Sequence, residues 1–137
     1  MVLVDYNKFK NKNNWIIFLL LTLFFHSLTK KYNKCNDPSL INYLLLLLHD
    51  SVFVYFVFGS LIFGNHLIHI IFLLLTLLNW YILGKCIITI INNYSCKNDY
   101  DTKYFNIVTV LTNNNVMFIY IFTFLAIVYN LFNLYYS

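Results

Sequence analysis

The sequence predicts an all-α, polytopic membrane protein with three to four transmembrane helices that include a tight helical hairpin. Three observations lead there. Of 137 residues, 61% are hydrophobic and 10% charged, and the mean hydropathy is +0.69, whereas soluble domains run about 45–50% apolar and about 25% charged. Apolar runs long enough to cross a hydrocarbon core of about 30 Å recur along the chain. The polar residues gather in short connectors between those runs, with no stretch of low hydrophobicity and high net charge to suggest a disordered chain.

Taken in order, a polar tail over 1–14 carries Lys8, Lys10 and Lys12 and precedes the apolar run Trp15–Leu28. Fourteen residues reach about 21 Å at about 1.5 Å per residue, so this run reads as a short or interface-tilted helix. Trp15 anchors one end and Lys30 and Lys31 snorkel at the other. It reads as retained, because Phe25-His26-Ser27-Leu28 lacks a small-residue cleavage signal. Asp37 and Pro38 make a helix start by capping and by preset φ. Leu40–Phe63 then forms a full span, Gly64-Asn65 a turn, and Leu67–Ile91 a second full span. A polar stretch, Asn92–Lys103, is followed by the short apolar run Tyr104–Thr112. Asn113-Asn114-Asn115 belongs at an interface or a protein-lined break, because three amides facing lipid are costly. Val116–Leu134 is the last span, closed by Tyr135 and Tyr136 in an aromatic belt. The whole chain, 1–137, reads as one membrane domain.

The chain holds no Arg, Glu or Gln, a single Ala, and eighteen Asn, a bias towards residues with A/T-rich codons. It fits a protist mitochondrial genome or an A/T-rich large DNA virus. The net charge of +4 comes from lysines that flank apolar runs, a membrane pattern in which nucleic acid is not an expected partner. Their excess favours the connectors bearing Lys30, Lys31, Lys34, Lys97 and Lys103 as the positive side. Cys35 and Cys96 lie in polar connectors and Cys86 in an apolar run, with no metal-type spacing. Free thiols are the expectation, and a Cys35–Cys96 disulfide the alternative if the two share a membrane face.

Chemistry concentrates in the hairpin. With the turn at Gly64-Asn65, residues at equal depth have numbers summing to about 129, which sets His49 and Asp50 level with Trp80 and Asn79. A charged Asp at mid-membrane costs about 2.5–3.5 kcal/mol on insertion scales, so Asp50 is expected to be neutral, paired or facing protein. Asn79, or Lys85 about 9 Å off level by helical rise, is its expected partner. Neighbours on a helix differ by about 100°, so His49 is expected to turn towards another subunit or a cofactor. The bland reading makes Asp50 a structural contact. The sharper one makes His49, Asp50, Trp80 and Tyr81 a proton or quinone site. His66 and His69 share a helix face near the turn and suit interfacial hydrogen bonding. They have no carboxylate or thiol beside them to make a metal site. His49 and His66 lie too far apart in depth to hold one haem.

Two resemblances attach to these residues. Cys35, Asp37, His49 and Gly59, followed by Asn79-Trp80-Tyr81 and Gly84-Lys85-Cys86, resemble the small membrane-anchor subunit of succinate dehydrogenase. That likeness implies a respiratory-complex anchor in which His49 is a haem b or quinone contact at a subunit interface. The Asp-Tyr quinone pair of that family has no counterpart here. Leu48-His49-Asp50, Phe58-Gly59, His69, Trp80 and Lys85-Cys86-Ile87-Ile88-Thr89 are similar to small two-helix membrane proteins of large DNA viruses, which imply no activity.

The expectation is therefore a non-catalytic accessory or anchor subunit of a mitochondrial inner-membrane respiratory complex. Its partners would be other membrane subunits and phospholipids. A structural membrane protein of a large DNA virus is the alternative.

Overall fold

The computed structural model describes residues 6–32, 35, 39–97 and 116–136. Every regular element among them is helical: α1 (Tyr6–Lys10), α2 (Lys12–Tyr32), α3 (Leu40–Phe63), α4 (His66–Leu83), α5 (Ile87–Ser95) and α6 (Val116–Tyr136). Three of these, α3, α4 and α6, are long and apolar enough to cross a membrane. The expectations for Asp37, Pro38, Tyr104–Thr112 and Asn113–Asn115 fall outside the described residues.

Helix α2 is longer than its apolar run, with 21 residues, or about 31 Å at about 1.5 Å per residue. The extra length is polar at both ends, where Lys12, Lys30 and Lys31 keep their charges at the margins while the apolar middle packs on α3. The two helices run antiparallel. Trp15 and Phe18 meet Phe63 with ring centroids at 4.8 and 5.6 Å, and Phe25 meets Phe53 at 5.2 Å.

Helix α3 is started by Ser39. Its side chain and that of Asn42 cap each other's backbone N–H groups, a reciprocal box that satisfies two donors left over at a helix N-terminus. Gly64 ends the helix at φ 66°, in the left-handed region open to a residue without Cβ, and returns its N–H to the Ser60 carbonyl.

The span expected over Leu67–Ile91 is broken. Gly84, at φ 64°, ends α4 with its N–H on the Trp80 carbonyl, and α5 begins only at Ile87. A glycine followed by Lys85 stops the helix although the flanking residues are apolar. Helix α5 packs beside the start of α3, where the Asn42 amide reaches Asn92 Oδ1 at 3.4 Å. Cys35 and Cys96 are joined in a disulfide, correcting the expectation of free thiols, and Cys86 is the free cysteine. The bond sets the end of α5 beside the connector that leaves α2, on the side of Lys30 and Lys31.

The interior is polar. Leu46, Val54, Phe63 and Leu73 are fully buried, but so are Thr29, Asp50, His69, Asn92, Thr123 and Asn130, while some forty large apolar side chains face outward. In water this would be inverted. In lipid an apolar side chain gains little by turning inward, and a polar one must find a partner. Thr22, Thr76 and Thr123 find it by donating to the carbonyl four residues back.

Candidate functional site

Asp50 lies near the middle of α3 and is fully buried. Its partners come from α2. His26 Nδ1–H donates to Oδ2 at 2.9 Å and the Thr29 hydroxyl donates to Oδ1 at 3.0 Å. Both expected partners are therefore corrected. Asn79 donates its amide to the Lys85 carbonyl at 3.2 Å, bridging the Gly84 break. Lys85 sits beyond the break rather than opposite Asp50.

His49 turns to the other side of α3. The ring is 4% exposed and lies beside the Cys86 thiol, at the N-cap of α5. Its Nδ1 has no hydrogen-bond partner, and Asp50 Oδ1 is 4.0 Å from it. The two neighbours face different elements: Asp50 meets α2 in place of Asn79 or Lys85, and His49 lines a cavity with Cys86 at the α4–α5 break. His49 is thus an interior residue, not an outward-facing contact for a second subunit.

A cavity of about 410 Å³ opens beside His49, within the usual range for small-ligand sites. Aromatic rings from four helices form its wall: Phe25 of α2, Phe53 and Phe56 of α3, Trp80 of α4, and Phe118 and Phe122 of α6. His49 and Cys86 share one corner, and Thr76 is the other polar lining residue. Of the residues singled out in the sequence, His49 and Trp80 meet here. Tyr81 does not, being 83% exposed on the outer face of α4.

A second polar assembly joins α4 to α6. His66 Nδ1–H donates to Asn130 Oδ1 at 2.9 Å, and Asn130 Nδ2 donates to His69 Nδ1 at 3.0 Å. His69 Nε2–H then donates to the Tyr55 and Phe56 carbonyls at 3.0 and 3.1 Å. Carbonyls only accept, so the contacts fix His69 as the Nε2–H tautomer. His69 comes this close because Gly59 lies beneath it, where an added Cβ would be 3.1 Å from the imidazole and 2.8 Å from the Tyr55 ring.

Sequence reasoning missed His26, Thr29, Cys86 and Asn130 as partners. His26 and Asn130 each carried a usable signal, being polar residues inside apolar runs that need an acceptor or donor at depth. Among the described residues, no group of three or more His, Cys, Asp or Glu is placed to hold a metal ion. Comparison with known families, with curated proteins and with solved structures finds no match to this chain.

Proposed function

We propose that this chain is a non-catalytic membrane-anchor or accessory subunit of a larger membrane assembly, a respiratory complex of the mitochondrial inner membrane. The observation that carries the reading is how little of its spans the chain covers itself. Within the apolar windows of α4 and α6, 17% and 11% of residues are buried. The remaining surface is a continuous display of Leu, Ile, Phe and Tyr, including Phe124, Leu125, Phe132 and Tyr135, open to phospholipid or to neighbouring helices. The polar groups of those helices are met from within, so association rests on shape and aromatic packing rather than on unpaired charge.

The alternative, a structural membrane protein of a large DNA virus, draws on a different observation. The Cys35–Cys96 disulfide suits an oxidising compartment or a virion surface.

Purification in mild detergent with mass spectrometry of co-eluting proteins tests the subunit reading. A defined set of respiratory membrane proteins eluting with this chain, well above the 16.4 kDa of the chain alone, is the expected result. A monodisperse monomer with full thermal stability, or recovery from purified virions, would overturn it.

A further inference from the structure

We propose that Cys86 is a site of S-acylation, with His49 as the proton acceptor and the aromatic cavity as the berth of a long acyl chain. The inference goes beyond the subunit reading and does not depend on it.

Four observations converge. The other two cysteines are bonded to each other, which leaves Cys86 as the free thiol. That thiol is half-buried and lines the same cavity as His49, whose imidazole Nδ1 is buried without a partner, an arrangement that costs free energy unless the site has a use for it. Cys86 is the N-cap residue of α5 and makes no side-chain hydrogen bond there. The positive end of the helix dipole lies there. Finally, the cavity that opens from this corner is walled by carbon and has room for an extended apolar body.

Those parts suit one reaction class. His49 takes the Cys86 proton, and the thiolate attacks the carbonyl carbon of a long-chain acyl thioester such as an acyl-coenzyme A. Negative charge developing on the carbonyl oxygen meets the first-turn N–H groups of α5. A carbon–sulfur bond to Cys86 forms, the carbon–sulfur bond to coenzyme A breaks, and the leaving thiolate recovers the proton from His49. The products are an acylated Cys86 and free coenzyme A, with no oxidant or reductant required. The event is a single turnover on the chain itself, after which the acyl chain fills the cavity.

The test uses the full-length protein in detergent micelles. Incubated with palmitoyl-coenzyme A, it is expected to gain one acyl mass, release one equivalent of coenzyme A, and lose the added mass in neutral hydroxylamine. The adduct should map to Cys86 and be absent from Cys86→Ser. His49→Gln should slow acylation about 100-fold, the scale of a lost general base. Cys35→Ser/Cys96→Ser should still be acylated. Non-reducing electrophoresis showing the Cys35–Cys96 bond intact in Cys86→Ser and His49→Gln separates loss of the site from loss of the fold. Wild-type protein that stays unmodified, an adduct that persists in Cys86→Ser, or an unchanged rate in His49→Gln would each overturn the proposal.

Discussion

Two buried polar assemblies lie within the same helical bundle, and they solve the same problem differently. Between α2 and α3 an acidic group is held by two donors from one neighbouring helix, His26 and Thr29 on Asp50. Between α4 and α6 the members are two imidazoles and an amide, and the contacts form a directed chain, His66 to Asn130 to His69 to two carbonyls. The first leaves an imidazole nitrogen of His49 unmatched beside it. The second has no orphan among its His and Asn side chains. Satisfaction throughout marks a structural fastening, and a shortfall on the wall of a cavity that also holds a thiol marks the place where chemistry has room.

The comparison can be broken from either side. Asp50→Leu removes the acceptor of two donors at once, and a buried donor left without an acceptor carries its full desolvation cost, so a loss of about 3 kcal/mol is expected. The midpoint of detergent-induced unfolding, followed by helical circular dichroism, measures it. Asn130→Leu strips the middle link from the α4–α6 chain and leaves His66 and His69 each one partner short. Hydrogen bonds inside membranes average less than in water, so about 1–2 kcal/mol is expected in the same assay. If Asn130→Leu proved the costlier change, the ranking of the acid-centred assembly above the amide-centred one would fail.

Gly59→Ala touches only the amide-centred side. An added methyl meets the Tyr55 ring and His69, and the imidazole, pinned by two carbonyls, has little freedom to yield. A loss of about 1 kcal/mol is expected, together with a shifted His69 ring resonance in nuclear magnetic resonance spectra. The smallest effect sharpens the contrast most. Asp50→Asn keeps an oxygen for His26 and turns the Thr29 contact round, so it should cost under about 1 kcal/mol. A cost as large as that of Asp50→Leu would show that the charge, not the hydrogen bonding, holds α2 in place.

Much of the fold was legible because lipid makes length and composition decisive. Leu40–Phe63 reads directly as a helix, since its apolar run is bounded by Ser39 and Gly64. The break at Gly84 was not read, because an apolar stretch on both sides of a glycine looks continuous until Lys85 is weighed as a stop. The Asp50 partner is set by a different connector: equal depth about the segment between Tyr32 and Leu40 puts His26 within about one turn of Asp50, a pairing that a Trp15–Leu28 helix lying at the interface would not make. Cys86 beside His49 is a meeting across three elements, and nothing in the spacing of 49 and 86 announces it.

The Cys35–Cys96 bond also fixes a parity. It closes residues 35–96 into a covalent loop whose two ends meet at one face of the membrane, so the chain between them must cross an even number of times. With α3 as the outward crossing, α4 is the return, and α5 follows it beyond the interruption at Gly84. A cut at Gly64-Asn65 would therefore leave one covalent molecule until reductant is added. The half-helices on either side of Cys86 are kept in register by a bond ten residues away.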